Sequence, residues 1–155
     1  MKLTVSGFKS ISRVENFDFR KFTLLAGINS SGKSSLIQAL LLLKQTFESN
    51  SIDVLNFTGD YIHANEPLDL IHNKDKSKRL HYVLSLEKRE IENVDSYSQY
   101  IPNGELLNKL DITLDFSINK SFKLDSLQLD LWYGEEGRKD SFRVYSPSTK
   151  DTHSV

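Results

Sequence analysis

The sequence predicts an α/β fold with a large antiparallel part. Three observations carry that expectation. A short continuous apolar run, Phe22-Thr23-Leu24-Leu25-Ala26, ends directly at a glycine-rich turn. A leucine-rich stretch of helical length follows it, from about Lys33 to Phe47. After Asn50 the chain breaks into strand-like runs with few helix signals.

Taken in order, Lys2 to Phe8 alternates Leu3 and Val5 with Lys2, Thr4 and Ser6, the pattern of a half-buried strand closed by Gly7. Ser12 to Phe19, with Val14, Phe17 and Phe19, reads as a second strand. Phe22–Ala26 reads as a fully buried strand of a parallel or mixed sheet. The helix that follows carries apolar residues nearly all the way round, which predicts cover on most of its sides. Later strand-like runs are Tyr61-Ile62, Arg79–Leu86, Leu110–Ile118, Leu124–Leu131 and Ser141–Tyr145. Gly134-Glu135-Glu136-Gly137 reads as the turn of a hairpin. Asn93–Gly104 reads as a loop and Ser146–Val155 as a linker.

Composition narrows the function classes. Of the 155 residues, 38% are hydrophobic and 26% charged, enough apolar material for a core and too little bias for a disordered tail. The net charge of −1 argues against a globally basic nucleic-acid binder. With no cysteine there is neither a disulfide framework nor a thiol nucleophile. The longest apolar run, Ala39 to Leu43, falls far short of the ~20 residues a membrane helix needs. A cytoplasmic protein without membrane association is the expectation.

The chemistry is concentrated in Gly27-Ile28-Asn29-Ser30-Ser31-Gly32-Lys33-Ser34, which fits G-x-x-x-x-G-K-[ST], the P-loop. Glycines let the backbone approach an anion closely. Successive N–H groups form a concave nest, and the helix that follows points its positive end at the phosphates. On this reading Gly27, Ile28, Asn29, Ser30, Ser31, Gly32, Lys33, Ser34 and Ser35 form the nucleotide site. Lys33 is the catalytic charge on the β- and γ-phosphates, and the Ser34 hydroxyl is a ligand for Mg²⁺. The expected cofactors are therefore ATP and Mg²⁺.

Other candidates are weaker. His63, His72, His81 and His153 do not group at metal-ligand spacing. Lys74–Arg79 is a small basic run interrupted by Asp75 and reads as a solvated loop. Tyr97, Tyr100, Trp132 and Tyr133 read as packing and hairpin residues. Asn73-Lys74-Asp75 is one residue short of the guanine-reading element of GTPases.

Phe8-Lys9-Ser10-Ile11, together with Phe22 through Leu40, resembles the N-terminal lobe of ABC-type P-loop ATPases of the SMC and DNA-repair group. It is especially similar to the prokaryotic AAA ATPases of overcoming-lysogenization-defect nucleases and anti-phage defence systems. The resemblance implies a lobe I with a mixed sheet around the P-loop helix, spanning residues 1–155. Residues 1–49 would supply the strand pair, P-loop strand and helix, and residues 50–155 a mainly antiparallel region. It also implies that Lys9 approaches the nucleotide.

By resemblance the function is ATP binding and, in a complete protein, Mg-dependent hydrolysis coupled to head dimerisation. The implied partners are a second copy or a higher oligomer, an effector nuclease, and DNA or RNA. The resemblance requires a signature motif, a Walker B Asp-Glu and a switch histidine, which these residues lack; Leu131–Glu136 comes nearest and is broken by Gly134. Gln99 and Gln128 are the candidates for a Q-loop glutamine. The expectation is thus a first lobe with the catalytic glutamate beyond Val155. The alternatives are an ATP-sensing module with little turnover that controls a nuclease, and a small-molecule kinase.

Because no Asn-Lys-x-Asp element reads a guanine edge, adenine nucleotides should be preferred to guanine only modestly. Competition titration with ATP and GTP measures this, and a strong preference for GTP contradicts the ABC-type assignment.

Overall fold

The computed structural model describes residues 1–29, 31–49, 53–91, 107–119, 121–134 and 137–145. Its frame is one six-stranded sheet in the order β2-β1-β3-β4-β5-β6. The strands are β1 (Lys2–Ser6), β2 (Glu15–Asp18), β3 (Leu80–Glu87), β4 (Leu107–Asn119), β5 (Ser121–Tyr133) and β6 (Arg138–Tyr145). Every pairing is antiparallel. The helices are α1 (Lys33–Phe47) and the single turn α2 (Lys88–Ile91), with 3-10 turns at Pro67–Leu70 and His72–Lys74.

Alternation gives the sheet two different faces, since residues paired across antiparallel strands point the same way. One inward row runs Val5–Tyr82–Leu114, and a second joins Leu80 to Phe116 and Leu124. These side chains form one core with Leu36, Ala39, Leu42 and Leu43 of α1. Tyr82 and Phe116 meet edge-to-face at 6.5 Å. The opposite face is polar. His81 Nδ1 lies 2.7 Å from Asp115 Oδ1, and Lys109 and Lys139 stack on Trp132.

Helix α1 spans the residues its sequence predicts, and β3 to β6 fall close to their predicted runs. The β5–β6 hairpin forms, with Gly137 N donating to Gly134 O at 3.4 Å. Its two middle residues, 135 and 136, lie outside the described residues, as do the predicted loop through Gly104, the linker from Ser146, Tyr97, Gln99, Tyr100 and His153.

Five expectations are corrected. Phe22–Ala26 is not a strand, and Phe22 and Leu24 are 82% and 76% exposed. An apolar run becomes a buried strand only where a ladder partner takes its amides, and no described strand pairs with it. For the same reason the sheet is not mixed among the described residues. The second strand is only Glu15–Asp18, because just those four residues find partners on β1. The helix buries one face; Ile37 and Phe47 remain 49% and 41% exposed.

Tyr61-Ile62 is likewise not a strand but part of a loop gathered by one side chain. Gln45, 5% exposed on α1, donates to Asn56 O (2.6 Å) and Ile62 O (3.0 Å). Its Oε1 accepts from Tyr61 N and Ile62 N, both at 2.9 Å. The loop passes so close that a Cβ on Gly59 would lie 2.3 Å from Gln45 Cδ. Thr46 beside it donates to Leu42 O (2.8 Å) and accepts from Asn56 N (3.1 Å). Among the described residues no helix is long and apolar enough to cross a membrane.

Replacing Gln45 with Ala removes the bonds of its side chain to two carbonyls and two amides, of which Ile62 O keeps Gly59 N as a donor. Orphaned polar groups cost about 1–3 kcal/mol each when fully buried. With partial access of water we expect a loss of about 2–4 kcal/mol, read as a fall in melting temperature of roughly 5–15 °C. An unchanged melting temperature would show that the loop does not depend on Gln45.

Candidate nucleotide-binding site

The glycine-rich loop sits at the N-terminus of α1 because Gly32 turns the chain there. Gly32 has φ 91°, a left-handed conformation that L side chains seldom adopt, and stands as the N-cap residue. Its carbonyl accepts the first helical bond, from Leu36 N at 3.0 Å. No side chain caps the helix, and its first turn carries no acidic residue. The free amides and the positive helix end therefore face the loop.

Lys33 opens α1 and folds back over the loop. Its Nζ donates to Gly27 O (2.8 Å), Ile28 O (2.5 Å) and Ser31 Oγ (3.1 Å). Gly27 has φ 154°, and a Cβ there would lie 2.9 Å from Ser31 Oγ and 3.8 Å from the Lys33 ammonium. The hollow is thus one that a side chain at position 27 would fill.

Two cavities flank the loop. The smaller, about 260 Å³, is lined by Asn29, Ser31, Lys33, Ser34 and Ser35 with Ser10. The larger, about 740 Å³, has apolar walls that include Phe17, Leu24, Ala26 and Ile28, with Arg13 at its side. Hydroxyls and the Lys33 ammonium line the smaller cavity, and the larger adds apolar side chains beside Arg13 and Glu15, a mixed lining of the kind that orients a ligand by a few polar groups.

Of the residues read from the sequence, the structure brings Gly27, Ile28, Asn29, Ser31, Gly32, Lys33, Ser34 and Ser35 around these two cavities. Ser30 lies outside the described residues. Lys9 stands apart. Its Nζ donates to Gln38 Oε1 at 2.7 Å, on the second turn of α1, and lines neither cavity. Burial lowers its pKa below the usual lysine range, an effect Asp69 partly offsets. Gln128 is on β5, donating to Asp130, and the Lys74–Arg79 run is tied to the fold by Lys74–Asp69 (2.8 Å). Ser10, in the same turn as Lys9, is the site residue that charge-based reading missed. A neutral hydroxyl gives no signal in charge or periodicity, and only its place after β1 marks it.

Among the described residues no group of three or more His, Asp or Glu could hold a metal ion. A cation here would be held by the Ser34 hydroxyl and by the phosphates of its ligand. That is the usual way Mg²⁺ is bound, since it keeps most of its water. The hollow over Gly27, the uncapped amides and the Ser34 hydroxyl fit a Mg-nucleotide.

A family model for the AAA ATPase domain matches residues 1–150 of the chain. No curated protein matches it.

Lys33→Ala should weaken Mg-ATP binding at least about tenfold, since a charge-assisted contact contributes about 1.5–3 kcal/mol. Equilibrium titration of a fluorescent ATP analogue measures it, and equal affinity in wild type and variant removes the assignment.

Proposed function

We propose a function from one premise: the chain belongs to the AAA ATPase domain family, whose general activity is ATP binding and hydrolysis. From that premise we propose that it is lobe I of an ABC-type head. On this reading it holds Mg-ATP at Gly27–Ser35, and hydrolysis in the complete head is coupled to ATP-driven dimerisation. The dimer controls a nucleic-acid-directed or defence effector, with a nuclease as the partner. One observation carries the reading: the Gly27–Lys33 loop is seated on an uncapped helix end, its lysine bound to loop carbonyls and a cavity on either side.

The residues' roles follow from their positions. Amides of the loop and the first turn of α1 bind phosphate oxygens. Lys33 exchanges the Gly27 and Ile28 carbonyls for the β- and γ-phosphates; those carbonyls keep its ammonium at the mouth of the loop beforehand. Bound Mg-ATP supplies the transferable phosphoryl group and a cation that neutralises its charge. Phosphoryl transfer asks little covalent chemistry of the protein, so positioning and charge stabilisation are the contribution of this lobe.

Apolar surface around the loop supports closure by a second body. Leu24 and Ile28, which line the larger cavity, are 76% and 82% exposed, and Phe22, two residues before Leu24, is 82% exposed. A second head laid over them buries this surface and makes ATP part of the interface, so that nucleotide shifts the monomer–dimer balance by mass action.

The test is phosphate release and light-scattering mass, with and without Mg-ATP, for residues 1–155 and for the complete protein. The expected result is no turnover by residues 1–155 and a doubling of mass by a hydrolysis-blocked complete protein on adding Mg-ATP. Multiple turnover by residues 1–155 alone, or a mass indifferent to ATP, overturns the proposal.

A further inference from the structure

Beyond β1 the chain makes a tight turn that the P-loop motif does not explain. Gly7 ends the strand, Ile11 N returns to Phe8 O at 2.7 Å, and Phe8 is fully buried. Between them Lys9 has φ 45°, in the left-handed region that a lysine seldom occupies.

The strained residue is held from outside its own turn. Lys9 N donates to Leu70 O at 2.9 Å. Lys9 O accepts from His72 Nδ1 at 2.6 Å, and His72 N donates to Gly7 O at 3.0 Å. Three bonds to the Leu70–His72 segment thus hold the backbone on both sides of Lys9. Backbone strain persists only where the surroundings over-determine it, and such places cluster at binding sites.

What this turn delivers is Ser10. Its hydroxyl donates to Ser35 Oγ at 2.8 Å, on the first turn of α1. A Cβ on Gly32 would lie 3.2 Å from Ser10 Oγ, so the hydroxyl sits against the helix N-cap. Among the described residues Ser10 is the one outside the P-loop that lines both cavities.

We propose that Ser10 is a nucleotide-binding residue whose hydroxyl donates to the α-phosphate. The inference rests on the nucleotide reading above and locates one contact within it. The smaller cavity, with Asn29, Lys33 and Ser34, takes the β- and γ-phosphates and the cation. The larger, walled by Leu24, Ala26 and Ile28, takes ribose and base. The α-phosphate is the group that must lie where the two meet, and Ser10, which lines both and bonds to Ser35 Oγ, is the hydroxyl at that junction. On binding, the Ser10 hydroxyl turns from Ser35 to the phosphate oxygen, a charge-assisted bond that replaces a neutral one. The brace through Leu70 and His72 keeps that hydroxyl in place before the ligand arrives, which lowers the ordering cost of binding.

The experiment is calorimetric titration of Mg-ATP and Mg-ADP into wild type, Ser10→Ala and Ser10→Thr, with thermal melting of each unliganded protein. Ser10→Ala should bind both nucleotides about tenfold more weakly and by the same factor, because both carry the α-phosphate. Ser10→Thr, which keeps the hydroxyl, should recover most of that loss, and unliganded melting temperatures should agree within about 1 °C. A loss confined to Mg-ATP would put Ser10 at the γ-phosphate and overturn the assignment. Unchanged affinity in Ser10→Ala, no recovery in Ser10→Thr, or a lowered unliganded melting temperature also overturns it. Wild type that binds neither nucleotide overturns the nucleotide reading itself, an outcome distinct from each of these.

Discussion

The packing of α1 across the antiparallel sheet is the contact on which the rest depends. Leu36, Ala39, Leu42 and Leu43 lie in the same core as Leu3, Val5, Leu80 and Tyr82. Each buried leucine contributes about 1.5–3 kcal/mol, and the helix has no cap side chain to stabilise its start. Tertiary packing, not capping, therefore fixes where its N-terminus points. An anion site made of helix amides is only as well placed as the helix, so the core is also what orients the site.

That dependence links distant parts of the chain. At the far end of α1, the side chains of Gln45 and Thr46 fasten residues 56–62 through hydrogen bonds to their backbone groups, which anchors that end of the helix. At the near end, the Gly7–Ile11 turn touches the helix twice, through Ser10 to Ser35 and through Lys9 to Gln38. The 3-10 segment around Leu70–His72 holds that turn. Residues separated by more than 60 positions thus meet within one bond of the loop. The site is rigid on this side and open on the other, where Phe22, Leu24 and Ile28 face outward.

This asymmetry suits a site completed by something else. The lysine of the loop bonds to loop atoms, and the first turn of α1 bonds to the turn after β1. On the proposed reading phosphates are gripped here, and no group among the described residues is assigned to orient an attacking water. Holding a nucleotide and acting on it are separable tasks, and the proposal gives this lobe the first.

Much of this was legible in the sequence for physical reasons that act over short distances. The helix Lys33–Phe47 and the strands β3 to β6 follow from periodicity, because one face of each must be buried. The loop follows from glycine and lysine spacing, since close backbone approach to an anion needs those residues in that order. Phe22–Ala26 is apolar without being a strand, because apolar content speaks of burial and not of pairing, and a strand exists only when another strand supplies its hydrogen bonds. The helix is apolar all round yet buries one face, because its composition states what it can bury and not what lies beside it. Only tertiary structure could reveal that Lys9 turns to Gln38, that Ser10 reaches both cavities, and that His72 braces them. These are contacts between residues 25 to 63 positions apart, fixed by how the sheet and α1 fold together rather than by any local pattern.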